Sequence, residues 1–152
     1  MSDLLDEKTV VPYLVKRGII NEPVEVEVLT GGVSNVVLGI KSRERDLVLK
    51  QAAQILRDSV RESDVVCRWG GEEFALFLPK CAIDDAERIA EKIRERVETL
   101  ALHEEFYTVP LTISVGVAEY QVTENLKDVF ARADKALYRA KAGGRNKVVL
   151  SY

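Results

Sequence analysis

This chain of 152 residues contains one histidine, one tryptophan, one methionine, two cysteines and four prolines. Each shortage removes a class of chemistry. The single histidine, His103, cannot build a histidine cluster, and its polar surroundings place it on the surface. Cys67 and Cys81 form no metal-ligand spacing and are expected as reduced core thiols in a cytoplasmic protein. Any metal would therefore be held by carboxylates, which favours magnesium over zinc. No apolar run approaches the roughly 18 residues of a spanning helix, so no membrane is expected. The opening "MSDLLDEKTV" is acidic and lacks a basic region followed by an apolar core, so it does not look like a secretory signal. A net charge of -3 gives no reason to expect nucleic acid or an anionic membrane as partner. What remains is an ordinary globular composition, 47% hydrophobic and 31% charged, of a length for one domain or one with an appendage.

Hydrophobic periodicity predicts the elements. Residues 7–17 carry a helical stripe of Val10, Val11, Leu14 and Val15, closed by Gly18. "VEVEVLT" (24–30) alternates as a half-buried strand, "GGVSN" turns, and "VVLGIK" (36–41) is its expected hairpin partner. Residues 46–62 alternate roughly at first. Val48, Ala52, Ile55, Leu56 and Val60 nevertheless fall at helical spacing, and a helix is expected there. "DVVCRW", a Gly70-Gly71 turn and "EEFALFLP" form a second hairpin. Asp84 with Glu87 predicts a capping box. It opens a helix with Ala86, Ile89, Ala90, Ile93, Val97 and Leu100 inward. "LTISVGVAEY" (111–120) is apolar on both faces and should be central in its sheet. Residues 126–142 form a helix ended by Gly143-Gly144, and "KVVLSY" closes the chain as a strand. The order from Asp46 is αββαβαβ, an α+β fold with helices on a mostly antiparallel sheet.

"CRWGGEEFALFLP" is the least ordinary stretch. Glycines let a backbone approach a ligand, and a carboxylate directly after them can hold magnesium over a phosphate. A plain Gly-Gly hairpin with exposed glutamates would read the same way. The context carries more. "RESD-VVCRW-GGEEF", "LTISVGVA" and "ADKALYRAKAGGRNKVV", in that order, resemble the GGDEF family of diguanylate cyclases in its GGEEF form, over residues 46–152. The resemblance implies a nucleotide-cyclase-like fold and condensation of two GTP to cyclic di-GMP, with magnesium as cofactor and two domains meeting as a homodimer. It implies Gly70 and Gly71 against the GTP phosphates, Glu72 as metal ligand near the attacking hydroxyl, and Glu73 shaping the turn. Lys141 and Arg145 would reach the triphosphate. Arg61 and Asp64, an Arg-x-x-Asp, would bind cyclic di-GMP as an inhibitory product site, with Lys92 the nearest counterpart to the second arginine used there.

The family pattern is incomplete. Its upstream strand normally ends in Asp-x-Asp-x-Phe-Lys, whose aspartate is a principal magnesium ligand. Here "VVLGIKSRERD" puts Gly39 and Lys41 where carboxylates belong, and the guanine-holding loop shrinks to "SRER". A lysine beside a magnesium site would oppose the ion. Little or no cyclase activity is therefore expected, because phosphoryl-transfer catalysis is largely positioning and electrostatic stabilisation.

The N-terminal segment has a different likeness. "VEVLTGGVSNVVLGIKSRERDLVLKQA" resembles the N-lobe of the aminoglycoside phosphotransferase and methylthioribose kinase group, in which Lys50 would sit on a strand and contact ATP phosphates. No catalytic-loop aspartate follows. Both families can claim "VLKQAA", as a recombined or engineered chimera would show; a divergent natural protein is the alternative. The expected organisation is a kinase-like helix and β-hairpin over 1–45, completing the sheet of a GGDEF-like part over 46–152 that lacks its usual first third.

Overall fold

The computed structural model describes residues 5–6, 35–41, 46–69, 73–99, 101–104 and 107–152. Its elements run β1 (Leu5–Asp6), β2 (Asn35–Lys41), α1 (Asp46–Ser59), β3 (Val65–Arg68), β4 (Glu73–Pro79), α2 (Ile83–Glu98), β5 (Ala101–Glu104), β6 (Tyr107–Pro110), β7 (Ser114–Glu119), α3 (Leu126–Ala142) and β8 (Val148–Ser151). Six strands make one sheet in the order β1-β3-β4-β2-β7-β8, and β5 and β6 form a separate ribbon. The outer pairs β1–β3 and β7–β8 are parallel. The inner pairs are antiparallel, as the mostly antiparallel expectation requires.

The two-residue period of a strand divides the core. Phe74, Leu76 and Leu78 of β4 pack with Ala53 and Leu56 of α1 and with Ala86, Ala90, Ile93 and Val97 of α2. Ala75 and Phe77 point the other way and join Leu126, Val129 and Ala133 of α3. Helices thus cover both faces of the sheet, and β4 reads as a continuous apolar run because both of its faces are buried. Each such Leu or Phe contributes about 1.5–3 kcal/mol through the water it sheds. Cys67 and Cys81 are buried and form no disulfide, as expected of core thiols. α3 has the predicted bounds, with Asn125 as its N-cap accepting the Asp128 N–H at 3.0 Å.

Several expectations are corrected. Asp84 and Glu87 form no capping box. The helix starts at Ile83 behind Ala82, so Asp84 lies inside the first turn, where it and Asp85 complement the helix dipole and Asp85 also pairs with Arg88. The helix expected over 46–62 stops at Ser59. It includes Lys50, which rules out the strand that the kinase likeness would need there. The strand expected over 111–120 begins at Ser114, and the β5–β6 ribbon was not anticipated. β2 does complete the sheet, but in its centre, bonded to β4 on one side and β7 on the other. Both its edges are taken, so it has none left for a hairpin with residues 24–30. Those residues, the helix expected over 7–17 and the "GGVSN" turn lie outside the described residues.

Arg132 of α3 ties the far end of the sheet. It bonds Glu124 through Nε (3.1 Å) and through Nη2, and it donates to the Glu119 and Ser151 carbonyls that end β7 and β8. Burial alone would raise the Glu124 carboxyl. Hydrogen bonds from Arg132 and the Gln121 N–H outweigh it, and the pKa falls below the usual carboxylate value. A depressed carboxylate stabilises the fold fully above its unfolded pKa of about 4.3, and the gain fades as pH drops through the folded value. Arg132→Met should cost about 2–4 kcal/mol in urea unfolding at pH 7. It should also flatten the loss of stability below about pH 4.5, and an acid limb identical to the wild type would refute this assignment.

Candidate functional site

One end of the sheet gathers most of the candidates. The register sets Lys41 of β2 directly across from Glu73 of β4 on one side and Ser114 of β7 on the other. The Val115 N–H donates to the Lys147 carbonyl at 2.9 Å, so the start of β8 stands level with them. Glu73, Lys41, Ser114 and Lys147 therefore form a row about 14 Å long, three strand spacings of ~4.8 Å. Ser114 is buried. In the sequence, Gly70, Gly71 and Glu72 immediately precede Glu73. Those three lie outside the described residues, but their flanks are fixed: the Trp69 N–H donates to the Glu73 carbonyl at 2.8 Å. Trp69 stacks on Phe130 of α3 at 4.6 Å, and Phe77 meets Phe130 edge-on at 5.8 Å. The hairpin is anchored through an aromatic column, not by its turn alone.

The C-terminus of α3 arrives at the same end. Lys141 is half-buried in its last turn and Arg145 is exposed just beyond it. A helix C-terminus carries partial negative charge, which repels an anion. Anion binding here must come from side-chain cations. The chain supplies a lysine at row position 41, Lys141, Arg145 and Lys147, whose Nζ donates to the Gly143 carbonyl. Arg145 and Asn146 adopt left-handed backbone angles, φ 62 and 46, after Gly144 at φ 107. The Arg145 N–H returns to the Ala140 carbonyl at 3.0 Å, closing the helix end.

Arg61 and Asp64 are not part of this group. They precede β3, whose first residue Val65 pairs with Phe77 while its last, Arg68, pairs with Phe74. The turn therefore lies at the opposite end of the sheet, more than ~10 Å from Glu73 at ~3.3 Å per residue. Its geometry is set: Asp64 Oδ2 accepts the Arg61 N–H at 2.8 Å, and the Asp64 N–H returns to the Arg61 carbonyl at 3.0 Å. Arg61 itself is exposed. Cys81 lies nearby, but burial pushes its thiol up, Asp85 adds to that and Arg61 only partly opposes it, so it is a poor nucleophile. Lys92 is exposed on α2.

Residues 42–147 match the family described as "Diguanylate cyclase, GGDEF domain". The chain belongs to the GGDEF family. This GGDEF chain is 40% identical over 107 residues to diguanylate cyclase A of Treponema denticola, covering 70% of the chain and 29% of that protein. It thus spans under a third of that relative's length. Among solved structures it resembles the diguanylate cyclase SiaD of Pseudomonas aeruginosa, crystallised with its activator SiaC. That match has 29% identity and a TM-score of 0.80 over 97% of this chain and 59% of the other. The GGDEF domain of DgcB from Caulobacter crescentus, solved in complex with c-di-GMP, gives 25% identity and a TM-score of 0.80 over 97% and 88%. The family match begins at residue 42, directly after β2.

The row does not suit magnesium. A hard dication needs carboxylate or other oxygen ligands, and the position across from Glu73 holds a lysine. Among the described residues no group of three or more His, Cys, Asp or Glu could hold a metal ion, and no helix is long and apolar enough to cross a membrane. Reading the sequence singled out Lys141 and Arg145 but missed Asn146, Arg94 and Glu98, which interlock beside them. The one sequence signal was an asparagine just after a helix-ending Gly-Gly, where a left-handed residue fits.

Proposed function

We propose that this chain is a GGEEF-type GGDEF domain that keeps the phosphate-binding part of its nucleotide site and has lost the metal-binding part. It takes GTP weakly and makes little or no cyclic di-GMP. The observation that carries this reading is the register of Lys41 against Glu73. Gly70 and Gly71 approach the phosphates by backbone, Lys141 and Arg145 supply positive charge, Glu73 shapes the turn, and Glu72 is left as half of a metal site. Two such domains, each presenting one GTP, would have to meet for cyclisation, and a cytoplasmic homodimer is the setting in which they would. Segment 1–45 supplies β2 as a central strand in place of the family's own first strand, as a kinase-like segment joined to a GGDEF-like part over 46–152 would do. Incubation with GTP and magnesium, followed by nucleotide chromatography, tests the proposal. Cyclic di-GMP formation at least 100-fold below that of an intact family cyclase is expected, and efficient formation overturns it.

A second reading is supported by the turn at Arg61 and Asp64, whose backbone and carboxylate are already locked. An exposed guanidinium on a fixed turn suits bidentate recognition of guanine or phosphate. The chain would then bind cyclic di-GMP without making it. Calorimetry should give binding that Arg61→Ala weakens at least tenfold; no heat at high micromolar ligand would refute it. A chimera retaining neither function would melt at the same temperature with and without GTP, ATP or cyclic di-GMP.

A further inference from the structure

The turn after α3 is held by a helix it does not belong to. Asn146 Oδ1 accepts from Arg94 Nη1 at 3.0 Å, and Asn146 Nδ2 donates to Glu98 Oε1 at 2.7 Å. Arg94 closes the triangle through Nη1 to Glu98 Oε2 at 2.7 Å and is braced by Nε to Glu91 Oε2 at 2.7 Å. Its side chain is only 15% exposed. Hydrogen bonds from Arg94 and then Asn146 hold the Glu98 carboxyl below its usual pKa, so the triangle stays charged at neutral pH.

This clamp acts on two consecutive non-glycine residues in the left-handed region, Arg145 and Asn146. Such angles are disfavoured for residues with a side chain and persist where the surroundings impose them. Arg94, Glu98 and Asn146 impose them from outside the turn. The turn that these angles shape leads directly into Lys147, which stands level with Ser114 at the end of the sheet where the Glu73–Ser114 row lies. A helix cap alone needs no link to residues about fifty positions upstream.

We infer that Arg94, Glu98 and Asn146 are positioning residues that hold Arg145, and with it the turn 143–147, in place for the β- and γ-phosphates of a nucleoside triphosphate. The inference rests on the nucleotide reading above. The role is one of geometry: none of the three contacts the ligand, and each acts through the backbone angles of Arg145.

Asn146→Gly separates positioning from folding, because glycine accepts φ 46 without strain while losing both clamp bonds. Calorimetric titration with GTP and with GMP, alongside a thermal melt, is the test. The expected result is a melting temperature within about 3 °C of the wild type, GTP affinity reduced 5- to 20-fold, and GMP affinity unchanged. Glu98→Gln offers one acceptor oxygen where two donors, Arg94 Nη1 and Asn146 Nδ2, must be met, so it should weaken GTP binding at least threefold, as should Glu98→Ala. If Asn146→Gly binds GTP like the wild type while Arg145→Ala does not, the clamp is refuted and the nucleotide reading stands. If the wild type binds no GTP, the nucleotide reading falls and the inference falls with it.

Discussion

Gly116→Ala should destabilise the domain by more than about 3 kcal/mol, enough to leave little folded protein at 37 °C. A methyl at this position would lie 2.1 Å from the Ala133 carbonyl oxygen and 2.4 Å from the Leu137 nitrogen. Both are backbone atoms in the middle of α3, so no rotamer change relieves the overlap. The helix must move off β7, and with it the layer of Val129, Ala133 and Leu126 that buries Phe77 and Ala75. The register places Gly39 beside Gly116 and Ala75 beside Gly39, a row of minimal side chains on that face. Two other glycines calibrate the effect. Gly144 has φ +107 and only the Lys147 Nζ within ordinary contact at 3.9 Å, so Gly144→Ala should cost about 1–3 kcal/mol, all of it backbone strain. Gly143 has φ -82 and its added methyl would sit 3.0 Å from the Arg139 carbonyl, a contact that a shift of a few tenths of an ångström relieves. Urea unfolding should rank the variants Gly116→Ala below Gly144→Ala and Gly143→Ala. A Gly116→Ala midpoint near the wild type would show that α3 does not rest on β7 as described.

Local patterns were legible in the sequence, and non-local pairings were not. α3 could be bounded to the residue because its stripe and its Gly-Gly stop agree. A capping box at Asp84 starts helix α2 two residues late, since Asp-x-x-Glu reads as a cap whether it sits before the helix or within its first turn. The β5–β6 ribbon is not legible because two four-residue strands in a polar stretch give too little alternation. β2 shows the limit most clearly. "VVLGIK" reads as a strand, and the nearest partner in sequence was the obvious choice. Its actual neighbours come from residues 73–79 and 114–119, and only tertiary packing selects them. The same holds for the candidate site. Its basic residues were visible one by one, whereas the row uniting positions 41, 73, 114 and 147 exists only in the register.

That register makes Lys41→Asp the most informative substitution for function. It replaces a cation by a carboxylate directly across from Glu73, the donor type that a hard divalent ion requires. In the wild type, GTP binding should be nearly indifferent to magnesium, because fixed cations stand where the ion would serve and repel it. In Lys41→Asp the dependence should invert. With excess chelator the variant should bind GTP at least tenfold more weakly than the wild type, since a phosphate chain now meets two facing carboxylates. With millimolar magnesium its affinity should recover by tenfold or more, a swing of about 1.4 kcal/mol or larger. Lys41→Ala separates the two effects: it should weaken GTP binding without creating any response to magnesium. Calorimetry of the three proteins with and without chelator measures all of these outcomes. If Lys41→Asp gains no magnesium response while the wild type binds GTP, positions 41 and 73 do not belong to the nucleotide site, and the lost metal ligand must be sought elsewhere on the sheet.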